Sequence, residues 1–177
     1  FYPTSVVWSP NGKYIADTGM LTRTIHVWDV KTKQVAQTLE NVPPLGGFQA
    51  LAWSPDGLYL VGCGRNMRIW NTTNWNLVKD NAIDPQNNWG CSAVAFSPDG
   101  RLLAVGPHGP SGGQTCVYDV KTWSLTQCTN FPPPAAHGFV FSTRKVAFRP
   151  GTDTLAIAAT GYFNDPDKWD GKLSGPP

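Results

Sequence analysis

The pentapeptide Trp53-Ser54-Pro55-Asp56-Gly57 decides the fold, because close copies of it recur along the chain. Trp8-Ser9-Pro10-Asn11-Gly12 stands 45 residues before it, and Phe96-Ser97-Pro98-Asp99-Gly100 stands 43 residues after it. A weaker copy, Phe148-Arg149-Pro150-Gly151, follows 52 residues later. A fixed period of about 20–50 residues is the signature of a repeat architecture. The chain is therefore expected to consist of about four copies of one unit.

Each copy lies between two short apolar runs and predicts a β-hairpin. In the second copy these runs are Leu51–Trp53 and Tyr59–Val61. Proline presets φ at the first central turn position, and the Asp-Gly or Asn-Gly pair supplies the positive φ that closes the hairpin. Two antiparallel strands joined by a tight turn are therefore predicted in each repeat.

A second marker, an aromatic residue followed by Asp or Asn, recurs in step with the first. Trp28-Asp29, Trp70-Asn71 and Tyr118-Asp119 lie 20, 17 and 22 residues after the first aromatic residue of their repeats. Each pair ends a predicted third strand, and a polar turn leads into a fourth, less apolar strand. A sheet of four short strands cannot bury both faces alone, so successive sheets must stack around an axis.

The sequence thus predicts an all-β chain folded as a β-propeller, with about three complete four-stranded blades and part of a fourth. The propeller segment is expected at residues 1–170, followed by a C-terminal tail at 171–177. The predicted blades span about residues 4–40, 48–80, 91–128 and 144–170.

These markers resemble the WD-repeat family. Trp28-Asp29 matches its Trp-Asp pair, Trp70-Asn71 and Tyr118-Asp119 each differ at one position, and Trp169-Asp170 stands where a fourth copy is expected. The family's hydrogen-bond network, which uses a Gly-His pair before the first strand and an Asp between the second and third, is expected to be broken. Only Ala136-His137-Gly138 offers a histidine near a first strand. Because the resemblance implies roughly six to eight blades, the chain is expected to be part of a larger propeller, with oligomeric closure or a four-bladed ring as alternatives.

Composition and charge exclude several classes of protein. The chain has 177 residues, of which 41% are hydrophobic and eight are tryptophan, which fits one globular domain. The formal charge is only +2, and Lys and Arg are not clustered, so no nucleic-acid partner is expected. No apolar run approaches the roughly 20 residues that a membrane-spanning helix needs.

The four cysteines lack the spacing of a metal site, and no metal or cofactor is predicted. Cys116 and Cys128 can face each other across a hairpin and form a disulfide in an oxidising compartment, although buried free thiols are the favoured interpretation. A cytoplasmic or nuclear location is expected, with secretion left open. The sequon Asn71-Thr72-Thr73 would matter only in a secreted chain.

Segment lengths predict a binding face. Turns between the first and second strands, and between the third and fourth, are short and lie on one face of the propeller. Every long segment lies on the other, which we call the long-loop face, and insertions confined to one face indicate binding. The candidate contact residues on this face are Arg23, Phe48, Arg65, Trp89, His108, His137, Phe139 and Tyr162. The alternative interpretation is that the aromatic residues fill the top of the core between the blades.

Catalysis finds little support in the sequence. His108 and His137 have no Ser, Cys or carboxylate at a spacing typical of a nucleophile and its base. We therefore expect a non-enzymatic protein-interaction scaffold that uses the long-loop face. Its expected partners are proteins within a larger assembly, and they include the remainder of its own propeller or another copy. The alternative is a propeller that binds, or binds and hydrolyses, a glycan or small molecule on the same aromatic face.

Overall fold

The computed structural model describes residues 3–19, 22–40, 47–82, 90–107, 115–129 and 139–163. All regular structure in these ranges is β-strand, and none of them contains a helix long and apolar enough to cross a membrane. The fourteen strands are β1 (Pro3–Trp8), β2 (Tyr14–Gly19), β3 (Thr24–Asp29), β4 (Gln34–Glu40), β5 (Ala50–Trp53), β6 (Tyr59–Cys63), β7 (Asn66–Asn71), β8 (Leu77–Ala82), β9 (Cys91–Phe96), β10 (Leu102–Pro107), β11 (Thr115–Asp119), β12 (Ser124–Thr129), β13 (Phe139–Phe148) and β14 (Leu155–Phe163). The predicted all-β class is confirmed.

The strands form sheets in sequence order. β1–β4, β5–β8 and β9–β12 are three four-stranded antiparallel sheets, and β13 pairs with β14. We call these sheets blades 1 to 4. The first strands of successive blades contact one another, β1 with β5, β5 with β9 and β9 with β13. Each blade therefore presents its first strand to the same axis, and the predicted partial propeller is confirmed.

The repeated pentapeptide forms the predicted turn between the first two strands of each blade. In blade 2 the backbone N–H of Tyr59 donates to Ser54 Oγ at 2.9 Å, and that of Leu58 donates to Asp56 Oδ1 at 2.9 Å. Gly57 has a φ of 75°, in the left-handed region that only glycine adopts at no steric cost. The corresponding glycines of the other blades share this conformation, with φ of 68° at Gly12, 74° at Gly100 and 72° at Gly151.

The core lies between the blades. Ile25 and Val27 of blade 1 pack with Leu60 and Trp70 of blade 2, and all four side chains are buried. A second cluster joins blades 2 and 3 through Val61, Met67, Ile69, Leu103 and Val105. A third, smaller cluster joins blades 3 and 4 through Ala93, Ala104 and Val146. Each sheet thus buries its apolar side chains against a neighbouring sheet, as expected of stacked blades.

Blade 4 begins earlier than predicted. We expected a long connection up to Thr143, but β13 starts at Phe139 and pairs along its whole length with β14, up to Phe139 opposite Phe163. The aromatic and β-branched run Phe139-Val140-Phe141 favours a strand. Trp169-Asp170, the predicted marker of a further strand, and the tail at 171–177 lie outside the described residues.

The cysteines are paired, so the favoured interpretation of free thiols is wrong. Cys116 and Cys128 are directly opposite each other in β11 and β12, with Cα atoms 4.0 Å apart and a disulfide between them. Cys63 and Cys91 form a second disulfide, with Cα atoms 5.6 Å apart. Strand register brings the first pair together, and the packing of blade 2 on blade 3 brings the second.

Candidate partner-binding site

Two of the predicted contact residues occupy the same place in adjacent blades. Arg23 directly precedes the third strand of blade 1, and Arg65 directly precedes the third strand of blade 2. Both are exposed. The long-loop face therefore presents two guanidinium groups at equivalent positions of its rim.

A buried arginine with an ion pair that the sequence analysis missed lies close to this rim. Arg68 is only 3% exposed, and its Nη2 donates to Asp80 Oδ2 at 2.8 Å. Its Nη1 donates to the backbone carbonyl of Glu40, at the end of blade 1, at 3.0 Å. Asn66, the neighbour of Arg65, donates from Nδ2 to Asp80 Oδ1 at 3.0 Å. The bond to Glu40 ties this part of blade 2 to the last strand of blade 1, and the bonds to Asp80 hold the third and fourth strands of blade 2 together. An arginine inside an alternating apolar strand was the only sequence signal for these bonds.

Phe48 does not belong to the contact surface. Its side chain is 0% exposed, and its ring meets that of Trp70 edge-on with centroids 5.7 Å apart. Gly62 leaves room for it, since a Cβ there would lie 2.9 Å from the Phe48 ring. For this residue the alternative interpretation, an aromatic ring filling the core between the blades, is correct.

The remaining predicted residues fall into two groups. Phe139 and Tyr162, expected in loops, lie in β13 and β14, at the end of that hairpin opposite its short turn. That end is on the same side as the predicted long-loop face. Trp89, His108 and His137 lie outside the described residues.

Blade 1 has a hydrogen bond between its marker tryptophan and a carboxylate. Trp28 Nε1 donates to Asp17 Oδ2 at 2.6 Å, and His26 Nδ1 lies 3.5 Å from Asp17 Oδ1. The carboxylate comes from within β2, two residues before that strand ends at Gly19, and not from the turn between the second and third strands. The Trp28 side chain is 36% exposed, although it lies near the end of an alternating apolar strand.

Trp28 belongs to an apolar surface that we call the open face of blade 1, formed by Val6, Trp8, Ile15 and Trp28. The equivalent residues of blade 2 are buried against blade 1. Val6 is 67% exposed and its counterpart Leu51 is 4% exposed, whereas Trp8 is 58% exposed and its counterpart Trp53 is 9% exposed. The open face thus carries the residue types of an inter-blade contact.

The short-turn face carries a cleft of about 630 Å³ between blades 1 and 2. Lys13 and Tyr14 line one side, and Asp56 and Thr72 line the other. Asp56 already accepts bonds within its own turn, and the Thr72 hydroxyl donates to the carbonyl of Gly57. In the part of the chain that the structure describes, no three His, Cys, Asp or Glu side chains are grouped so as to hold a metal ion.

Known proteins with similar sequences carry the same repeat. The mouse WD repeat-containing protein WRAP73 is 27% identical over 158 residues, covering 86% of this chain and 31% of its own length. The chain thus spans about a third of the length of this curated relative.

Solved structures resemble the fold. Kuenenia stuttgartiensis hydrazine synthase superposes with a TM-score of 0.73 and 19% identity, over 88% of this chain and 41% of that one. The β-propeller domain of Myceliophteria thermophila Cps50 (Swd1) superposes with a TM-score of 0.69 and 16% identity, over 88% of this chain and 49% of that one. At these identities the likeness concerns the fold alone.

The repeat family itself matches directly. The family described as WD domain, G-beta repeat matches residues 2–29, 45–71 and 82–119, more than half of the chain. These ranges contain the Trp28-Asp29, Trp70-Asn71 and Tyr118-Asp119 markers and the three best copies of the turn pentapeptide. The chain therefore belongs to the WD-repeat family of β-propellers.

Proposed function

We propose that this chain is a non-enzymatic protein-interaction scaffold that binds protein partners on its long-loop face. The observation that carries the proposal is the pair Arg23 and Arg65, two exposed cations at equivalent rim positions of adjacent blades. Membership of the WD-repeat family and the relatives named as WD repeat proteins support the scaffold role.

The rim is suited to recognition because its backbone is held in place. Arg68 is buried, and it binds both the partly exposed carboxylate of Asp80 and the backbone carbonyl of Glu40. Arg65 therefore projects from a fixed turn, and less side-chain and loop entropy is lost on binding. Guanidinium groups pair with carboxylates in a directional, two-pronged geometry. An acidic segment of a partner protein is accordingly the chemistry that fits this rim.

We propose a second contact at the open face of blade 1. Trp8 and Val6 are exposed there, although their counterparts in blade 2 are almost fully buried against a neighbouring sheet. A blade with the same repeat, from the remainder of this propeller or from another copy of the chain, would cover the face in the way that blade 1 covers blade 2. The two contacts differ in chemistry, since one is apolar and the other is cationic.

The rim is tested by charge reversal. The double substitution Arg23→Glu with Arg65→Glu should reduce the recovery of direct partners by about tenfold or more, while the melting temperature stays within a degree or two. Partners are measured by quantitative mass spectrometry after cross-linking in cells that produce the full-length protein. The matched control is Lys31→Glu with Lys121→Glu, which reverses two exposed charges in short turns at the opposite end. Equal loss in both variants, or loss in neither, would contradict a binding site at this rim.

The alternative is a propeller that binds a glycan or small molecule on the long-loop face. The cleft beside Tyr14, where Lys13 Nζ lies 4.8 Å from the centre of the aromatic ring, is on the short-turn face and offers such a ligand a different site. A glycan array combined with a thermal-shift screen distinguishes the two functions. A saturable shift that Tyr14→Ala abolishes, with partner recovery unaffected by the arginine substitutions, would favour the alternative.

A further inference from the structure

One of the two disulfides lies within a blade, and the other joins two blades. Cys116 and Cys128 join neighbouring strands within blade 3. Cys63, in β6 of blade 2, is bonded to Cys91, the first residue of the innermost strand of blade 3. Their Cα separation of 5.6 Å lies where disulfides are commonest. This bond therefore adds a covalent link to two sheets that also contact each other through packed side chains.

The backbones of blades 2 and 3 lie in direct contact around Cys63 and Cys91. The N–H of Cys91 donates to the carbonyl of Gly64 at 2.6 Å, a hydrogen bond between blades. A Cβ at Gly90 would lie only 2.5 Å from that same carbonyl oxygen, so the contact requires glycine. The two cysteines are thus held side by side by main-chain contacts that do not involve sulfur.

The Cys63–Cys91 pair is more deeply buried than the Cys116–Cys128 pair. Cys63 and Cys91 are both 0% exposed. Cys116 and Cys128 are half-buried, and Cys128 lies on β12, the edge strand of its sheet. Thiol–disulfide exchange requires the attacking thiolate to reach a sulfur atom, so the inter-blade bond is protected for as long as the blades stay packed.

We propose that Cys63–Cys91 is a structural disulfide that staples blade 2 to blade 3, and that the chain matures in an oxidising compartment. In its formation the two thiols release two protons and two electrons. The electrons and protons reduce the oxidant, the disulfide form of a thiol oxidoreductase, to its dithiol through a mixed disulfide. Stable disulfides are typical of secreted and periplasmic proteins and rare in the cytosol and nucleus. Of the locations left open by the sequence, secretion is the one this bond favours, and the inference is independent of the partner-binding role of Arg65.

The bond is tested by thiol mapping of the wild-type chain, purified without reductant from its native source. Unfolding in guanidinium followed by alkylation should label no cysteine, and peptide mapping should recover Cys63 linked to Cys91. In the folded protein, dithiothreitol should release Cys116 and Cys128 at least about tenfold faster than Cys63 and Cys91. Labelling of Cys63 and Cys91 in guanidinium without reductant, or release of all four at one rate, would overturn the proposal.

Substitution provides the second measurement. Cys63→Ser with Cys91→Ser should lower the melting temperature by roughly 10 °C, because the unfolded chain loses a covalent loop closure. The matched variant, Cys116→Ser with Cys128→Ser, should keep the Cys63–Cys91 peptide link intact. If the first variant does not fold, full reduction of the wild-type protein must produce a comparable fall in melting temperature. An unchanged melting temperature after verified reduction of the buried pair contradicts a stapling role.

Discussion

The ring of Trp123 in blade 3 stands edge-on to the ring of Tyr59 in blade 2, with centroids 5.1 Å apart and planes at 88°. Trp75 of blade 2 meets Tyr14 of blade 1 in the same way, at 6.0 Å and 79°. Both tryptophans lie in the turn between third and fourth strands, at positive φ values of 60° for Trp75 and 54° for Trp123. Bulky residues rarely adopt this conformation. The contact between the blades therefore offsets a local backbone cost.

Removing the Trp123 ring should destabilise the protein strongly. Trp123→Ala is expected to lower the free energy of unfolding by about 3–5 kcal/mol, because the buried ring leaves a cavity between blades 2 and 3. Lys33 is the matched control, since it occupies the equivalent turn of blade 1 with a φ of 58° and an exposed side chain. Lys33→Ala should change stability by no more than about 0.5 kcal/mol. Urea denaturation measures both, and equal effects would show that the turn, rather than the ring contact, determines the cost.

The marker tryptophans of blades 1 and 2 should differ in their contribution to stability. Trp70 is 4% exposed, so Trp70→Ala is expected to cost about 3–5 kcal/mol. Trp28 is 36% exposed and keeps one hydrogen bond to Asp17, so Trp28→Ala should cost only about 1–2 kcal/mol. Chemical denaturation of the isolated chain tests this difference. If both variants lose the same stability, Trp28 is covered in solution and the description of blade 1 as open is incorrect.

Acid should destabilise the protein through its turn carboxylates. The Ser97 hydroxyl, and then the guanidinium and backbone N–H of Arg101, hold the pKa of Asp99 well below its usual range. A group whose pKa is lowered by folding contributes stability above its unfolded pKa of about 3.9 and loses it as the pH falls towards the folded value. The pKa values of Asp29 and Asp119 are lowered in the same direction, chiefly by the backbone N–H of Thr32 and the hydroxyl of Thr122. Stability should therefore fall as the pH drops below about 4.

Asp99→Asn isolates one of these groups. The corresponding residue of the first turn is Asn11, whose Oδ1 accepts from the Ser9 hydroxyl at 2.8 Å and from the Lys13 N–H at 2.9 Å. A side-chain amide can therefore accept the hydrogen bonds of this turn, so Asp99→Asn should be as stable as the wild type near neutral pH. It should lose less stability than the wild type on acidification, as measured by urea midpoints across the acid range. A pH dependence identical to that of the wild type would show that Asp99 does not contribute.

The sequence predicted what is encoded locally and missed what depends on contacts between sheets. Alternation and the Pro-Asp-Gly turn are local signals, and they predicted the hairpins and the positive φ of Gly57. The same alternation places Trp28 and Trp70 at equivalent positions and cannot indicate that only one is covered by a neighbour. Phe48 looked like a loop aromatic because the space above Gly62 that it fills is created by another strand. The bond between Cys63 and Cys91 likewise depends on how two blades align, which no period within one strand encodes.

The open face of blade 1 should drive association of the isolated chain. Trp8 and Val6 leave an apolar surface in water on a sheet whose other face packs against blade 2, and such surfaces mark contact sites. Sedimentation velocity should therefore show the average mass rising with concentration. Trp8→Glu should suppress this rise and leave the melting temperature nearly unchanged, because the ring is 58% exposed. The control is Leu125→Glu, which introduces the same charge at a residue that is 55% exposed on the outer strand of blade 3. If Leu125→Glu suppresses association as strongly as Trp8→Glu, the outer strands mediate association and the open face does not. A wild-type chain that stays monomeric at every concentration would refute the prediction.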